Sequence, residues 1–436
     1  MRGTTPPAEW KVLPLATPAT PVFVSPEPDA LHASSPTLCA LPSGRLVAAF
    51  DLCGPGLKRT PGPKGRLEHF QRLLQGRLYV SNDRGATWTH RWDFPFCNPL
   101  LFRDGHVLYL VGHADTMQIA RSADGGETWS KPVEIAPGLP VGDAGTQSPA
   151  GALPANGAIY LPVMRVARFD YRGDPASLLA PVVLRAPQGA NLTAAKSWTV
   201  SPPGPTFAEL GVGAAAGDVG VPFFETPDPL RGRNVGGGRW AHRPGWSAAH
   251  LVRLADAGHY WHDPAGRTLH LIARAATHRS NLAALARVEE SPQGELRIGL
   301  QTTPAGARQL LLPLPGGHLK FDLLYDEPSG LFWLLSNQAR DSMTRAERLP
   351  AERYHLPADE LHRLQLHFSR NLVDWCFAGF VAGADQPKLS LHSPAMAVCG
   401  ADLRFVCCAG DAAARNAHDT ASIVCRCIPN FRELVY

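Results

Sequence analysis

Seven residues of this chain have the types and placement to act on an anionic or polyhydroxylated ligand: Asp51, His113, Asp115, Arg274, Arg340, Asp341 and His418. An aspartate can hold and release a proton, an arginine fork grips a carboxylate through two parallel hydrogen bonds, and histidine and aspartate exchange hydrogen bonds with hydroxyls. What unites the seven is position, since each follows directly on an apolar β-hairpin. Other polar residues flank the same hairpins: His32, Ser34, Ser35, Gln147, Arg165, Arg168, Tyr171, His278, Lys320, Asn337, Arg345, His392, Asp411, Arg415 and Asp419. Singly, an arginine or aspartate at a strand end is more often a solvated loop residue or one half of an ion pair. His113 and His418 could equally hold loops through backbone hydrogen bonds. The cluster is stronger evidence than its members.

The hairpins that must position these residues are six. They start at Thr37, Pro99, Ala150, His259, Phe321 and Pro394, each with a Gly, Pro, Asn or Asp turn between two apolar runs. Between them runs a repeated turn. SNDRGATW from Ser81 and SADGGETW from Ser122 fit S-x-D-x-G-x-T-W with starts 41 residues apart, and FSRNLVDW, ending at Trp375, is a weaker copy with Asn371 in the Asp position. In such a turn the Asp accepts backbone amides ahead of it, the Gly takes a positive φ, and the Trp packs beneath. Hairpin, third strand, turn and fourth strand make one four-stranded blade, so the chain is expected to be all-β, a six-bladed propeller of four-stranded antiparallel blades. A sandwich would not need the repeated turn, and a seventh blade would need a hairpin hidden between Ser201 and His250. Residues 1–30 read as a Pro-rich N-terminal arm and 31–436 as one propeller, with a Gly- and Pro-rich insertion around 201–244. In a blade the start of the first strand and the end of the second share one rim, and loops on that rim converge over the axis. This topological rule picks out the residues named above.

Composition narrows the function. The 436 residues are 44% hydrophobic and 18% charged, with 41 Gly and 41 Pro, as a soluble protein of short strands and many turns requires. No apolar run is long enough to span a membrane. The net charge of +4 is scattered, too weak for a nucleic-acid footprint. Nine cysteines without paired CxxC knuckles read as reduced core thiols, and His259, His262 and Asp263 fit a strand end better than a metal site. No metal and no cofactor are expected. The first residues lack a basic-then-apolar leader, so the expected location is cytoplasmic.

The repeated turn is the Asp-box, and through it the chain resembles the sialidase superfamily of glycoside hydrolases. HADTMQIARSADGGETWS, NQARDSMTR, HRLQLHFSRNLVDWCFAGFV and the terminal ARNAHDTASIVCRCIPNFRELVY share the look of bacterial BNR-repeat sialidase-like proteins. The resemblance implies a glycan substrate, three Arg holding its carboxylate, a Tyr nucleophile activated by Glu, and an Asp acid/base, which is an exception to the two-carboxylate glycosidase scheme. Asp51 stands where the family places its acid/base, and Arg274 fits one Arg of the triad. Arg340, His113, Asp115, Asp341 and His418 complete the expected substrate-binding set. Where an R-I-P signature would open the first blade, this chain has Ser34-Ser35-Pro36, and SLHSP and CCAGD around the sixth hairpin carry no Arg. Two readings follow. The first is an exo-glycosidase acting on terminal sialic acid or a related acidic sugar. The second is a catalytically silent glycan-binding propeller. A protein-interaction scaffold is disfavoured by the charged rim.

Overall fold

In the computed structural model the described residues are 12–436 apart from 69–70, 138, 140–149, 168–175, 211–244, 276–280, 304, 340–359, 384–388, 413 and 416. They build six antiparallel blade sheets, mostly of sequence-consecutive strands, and a separate two-stranded ribbon of Gln301–Thr302 with Arg308–Gln309. In the first blade His32–Ala40, Leu46–Cys53, Arg72–Ser81 and Thr89–Phe94 lie side by side. The first two strands of the next five blades are Cys97–Asp104 with Val107–His113, Leu153–Ala155 with Ala158–Val166, Ser247–Val252 with Thr268–Arg274, Asp322–Asp326 with Leu331–Asn337, and Leu391–Cys399 with Asp402–Ala409. Among the described residues no helix is long and apolar enough to cross a membrane.

The second strands read as nearly unbroken apolar runs because both of their faces are covered. Leu46–Cys53 is buried at every residue but the last, and Leu331–Asn337 throughout. The covering is supplied by neighbouring blades. Six large apolar clusters each join two successive blades, and the sixth joins the last blade back to the first. Leu46, Phe50 and Leu52 of the first blade, for example, share a cluster with Val406, Cys408 and Ile423 of the last. Six inter-blade cores in a closed sequence define a ring of six.

Thr20–Val24, inside the stretch read from sequence as an arm, is the fourth strand of the last blade, pairing antiparallel with Ser422–Ile428. Phe23 of that strand meets Phe50 and Tyr79 of the first blade, with ring centroids 5.1 and 6.5 Å apart. The fourth blade departs from the sequence reading. Its first strand is Ser247–Val252, whereas HYWH from His259 lies in the connection 253–267, where turns replace the expected strand. Alternating aromatic and polar residues ahead of Pro-Ala-Gly imitate a strand, but the true partner of Thr268–Arg274 comes earlier in the chain.

The repeated turns are built alike. The Ser81 hydroxyl donates to Asp83 at 2.7 Å and accepts from the Gly85 amide at 2.7 Å, while Asp83 accepts from the Thr87 amide at 2.9 Å. Ser122, Asp124, Gly126 and Thr128 repeat this at 2.7, 2.9 and 3.0 Å. Gly85 and Gly126 both sit at φ +91°, a backbone state open to Gly and costly for other residues. In the third copy Leu372 takes the left-handed position at φ +62°, and Asn371 accepts the amides of Val373 and Asp374. Trp88, Trp129 and Trp375 are half-buried against the blade cores.

Candidate active site

Four first strands carry the same irregularity near their rim end. Ser35, Asn98, Ala248 and Ser393 adopt φ of +50, +49, +48 and +52°, and each lies where strand pairing skips register. The bulge takes a backbone amide out of the ladder and re-aims it. At Asn98 the freed amide donates across the blade boundary to both carboxylate oxygens of Asp51, each at 2.9 Å. Ser35 donates its hydroxyl to the Asn98 side-chain oxygen at 2.8 Å.

Asp51 is therefore a carboxyl fixed by strand register opposite Ser34 and only 4% exposed. Burial pushes its carboxyl up to about 7, against the opposing pull of the Asn98 amide, Arg72, Lys320 and Ser35. Lys320 precedes the first strand of the fifth blade, whereas Asp51 belongs to the first, with the whole sixth blade between them. Their electrostatic contact runs across the axis. Arg274, from the fourth blade, acts on both Lys320 and His392 of the sixth, which again spans the channel mouth. Burial lowers the Lys320 ammonium, with Cys408, Asp51 and Asp322 pulling the other way and Arg274 adding to the fall. Among the described residues no hydrogen bond or ion pair takes up that ammonium.

Asp322 is a second, half-buried carboxyl of the rim. Burial raises its pKa, opposed by His250, the Met396 and Leu323 amides and Lys320. It bridges the flanking blades: one oxygen lies 3.7 Å from His250 and the other accepts the Met396 amide at 2.5 Å. Asp51, its carboxyl pushed up to about 7, and Asp322, its carboxyl raised by burial, share the rim with Arg72, Arg274 and Lys320. Such a set of groups can attract an anion through its cations, and a carboxyl at about 7 can give up a proton near neutral pH.

The remaining sequence-derived residues are placed as follows. Arg274 is half-buried and donates Nε to the His318 carbonyl at 3.1 Å, so it has a loop-holding contact as well as its place at the rim. His113 is fully buried. One ring nitrogen lies 3.1 Å from the Ala114 carbonyl and the other 3.0 Å from the Asn98 amide group, and burial pushes the ring down to about 4, so it is neutral and positions Asn98. Asp115 is exposed and accepts the Glu68 amide at 3.1 Å, capping a neighbouring loop. His418 packs edge-on against His392, centroids 5.7 Å apart. Arg340 and Asp341 lie outside the described residues.

Arg72 and Asp322 escaped the sequence reading, the first because it opens a third strand rather than flanking a hairpin, the second because it sits inside its hairpin. A signal for the inner layer was present, however. Ser35-Pro36, Asn98-Pro99 and Ser393-Pro394 put a left-handed residue directly before proline at the start of three first strands.

The ring and its rim can be set beside solved structures. An alpha-L-arabinanase of Penicillium chrysogenum, complexed with arabinobiose, matches with a TM-score of 0.51 over 96% of this chain and 99% of that one, at 13% identity. A mutant of Trypanosoma rangeli sialidase displaying trans-sialidase activity matches at 0.50 over 97% and 60%, at 11% identity. What these likenesses share with the chain is the propeller fold. A protein of unknown function from Dyadobacter fermentans shares it, with a TM-score of 0.52 and 12% identity over 94% of this chain and 97% of that one. No protein-family profile matches the chain. A stretch of 99 residues, 23% of the chain, is 33% identical to part of Vacuolar protein sorting/targeting protein 10 of Neosartorya fischeri and of Aspergillus fumigatus, and spans 6% of the length of those proteins.

Proposed function

We propose that this protein is a sialidase-like exo-glycoside hydrolase that removes a terminal acidic sugar, sialic acid or a relative, with Asp51 as the acid/base. The observation that carries the reading is a buried carboxyl held up to about 7 beside Arg72 and Lys320. A protonated Asp51 gives its proton to the glycosidic oxygen as the bond to the leaving group breaks, then takes one back from the attacking water. Lys320 and Arg274 hold the sugar carboxylate, which also draws the anion into the channel mouth. Catalysis by this route requires the protonated acid at the first step. Release of sugar from sialosides, other ulosonic-acid glycosides or uronic-acid glycosides is the expected result, with kcat/KM falling above about pH 7. Asp51→Asn should remove turnover while leaving ligand binding. No turnover of any of the three substrate classes by folded protein would sink the enzyme reading.

A specific observation favours the second reading, a glycan-binding propeller without turnover. Both Asp51 oxygens are already engaged by the Asn98 amide, and Ser34-Ser35-Pro36 opens the first blade without an arginine. Binding of the same glycans without turnover, and with affinity unchanged in Asp51→Asn, would select it.

A further inference from the structure

A hydroxyl beside a carboxyl can favour either protonation state, because as a donor it stabilises the carboxylate and as an acceptor it stabilises the acid. Ser35 stands in that position to Asp51. Which way its proton points is decided by a chain of side chains that crosses from the first blade to the second. Ser35 and Asn98 occupy matching left-handed bulges, at φ +50 and +49°, and the Ser35 hydroxyl lies 2.8 Å from the Asn98 side-chain oxygen. The Asn98 side-chain nitrogen lies 3.0 Å from His113 Nε2, and His113 Nδ1 lies 3.1 Å from the Ala114 carbonyl. Asn98 and His113 are buried, so their polar atoms depend on these partners.

The chain has one consistent direction. A carbonyl only accepts, so Nδ1 carries the single proton of the neutral His113 ring and Nε2 is left as an acceptor. Nε2 takes a proton from the Asn98 amide nitrogen, which turns the amide oxygen towards Ser35. The Cys97 thiol, 3.5 Å from the same ring nitrogen, has the His113 carbonyl at 3.3 Å to take its proton. Ser35 donates its only proton to the Asn98 oxygen and keeps lone pairs for Asp51, which suit a carboxylic acid and repel a carboxylate. A hydroxyl free to turn would instead donate, and would pull Asp51 towards the carboxylate. Ionising Asp51 here means turning Ser35 away and leaving a buried amide oxygen without its donor. The other groups facing Asp51 are the Asn98 backbone amide, Arg72 and Lys320, which favour the carboxylate, and the thiols of Cys53 and Cys408.

We infer that Ser35, Asn98 and His113 form a positioning relay that holds the proton on Asp51, with the Ser35 oxygen as its acceptor. The inference rests on the proposed role of Asp51 as the acid and supplies the device that keeps it loaded, but its test needs no substrate. The pKa of Asp51 is read by carboxyl-carbon NMR of the whole chain with labelled aspartate, the resonance being identified by its loss in Asp51→Asn. The variants are Ser35→Gly and Asn98→Gly, because glycine is at ease in both left-handed positions and keeps the backbone amide of residue 98. Ser35→Gly removes the acceptor and is expected to lower the Asp51 pKa by about one pH unit. Asn98→Gly frees Ser35 to donate and is expected to lower it by a similar amount, and the double variant to match Ser35→Gly, since Asn98 acts through Ser35. A rise or no change in Ser35→Gly would show the hydroxyl donating to a carboxylate and overturn the inference. So would an unchanged Asp51 in Asn98→Gly, single shifts that add in the double variant, or a wild-type Asp51 that titrates in the ordinary carboxylate range. With a turned-over substrate, the alkaline limb of kcat/KM moves down with the pKa in both variants. The two readings fail separately: no turnover sinks the enzyme reading and leaves the titration to judge the relay, while the wrong sign of shift sinks the relay and leaves turnover untouched.

Discussion

Asp51 makes a testable claim on stability as well as on chemistry. Its folded-state pKa, about 7, lies above the unfolded value of 3.8, so folding favours the protonated acid. That contribution is complete below the unfolded value and is lost as pH rises through the folded one. Asn cannot ionise and keeps an oxygen for the Asn98 amide. Asp51→Asn is therefore expected to match wild-type stability below about pH 4 and to exceed it increasingly up to pH 7, by as much as about 4 kcal/mol, then to hold a constant margin. Thermal melts of both proteins across that range check it, and a constant margin at every pH would show that Asp51 is not desolvated. At this scale the sequence was partly legible. Asp51, Arg274 and Lys320 could be found because hairpin ends fix which residues reach the rim. Their order of importance could not, because burial and the reach of Lys320 across the axis are properties of the closed ring.

The repeated turns carry the next prediction. The sequence suggests Trp anchors packed fully beneath each turn, but the structure leaves all three half-buried, which lowers the cost of their removal. Trp129 lies parallel to Trp92, with centroids 5.4 Å and planes 4° apart, and its Nε1 donates to the Gly126 carbonyl at 3.2 Å. Among the described residues the Trp88 indole nitrogen has no partner. Trp129→Ala should cost about 2 kcal/mol and Trp88→Ala about 1 kcal/mol, below the 3 to 5 of a core aromatic. Urea unfolding of the two variants decides the order; equal costs would mean that the Trp92 stack contributes nothing. Hairpins were readable wherever a Gly turn joined two apolar runs. The fourth failed because aromatic alternation ahead of Pro-Ala-Gly satisfies the same pattern, while Ser247–Val252 carries no turn of its own to announce it.

For the whole molecule, burial of neutral histidines sets an acid limit. His113, His270 and His367 are each pushed down to about 4 by burial, and His250 and His392 are lowered by the same cause. A base with a depressed folded pKa contributes stability above its unfolded value near 6.5, and that contribution is lost as pH falls through the folded one. The melting temperature should drop steeply between about pH 6.5 and 4, and a flat profile there would mean that these rings are solvated. The six-fold count of blades was visible in the number of hairpins. How the ring closes was not, because the pairing of Thr20–Val24 with Ser422–Ile428 joins residues at opposite ends of the chain.

That closure sets an order of events during synthesis. Thr20 leaves the ribosome well before its partner Cys425, which lies some four hundred residues further on. At about 5 to 20 residues per second, the first strand waits roughly 20 to 80 seconds for a partner. Through that interval Val22 and Phe23 belong to no sheet, and one flank of the first blade stays uncovered. The nascent ring is an open arc whose two ends are both adhesive, and two chains on one messenger could exchange their first strands before either closes. Emergence of Ser422–Ile428 is what ends this exposure.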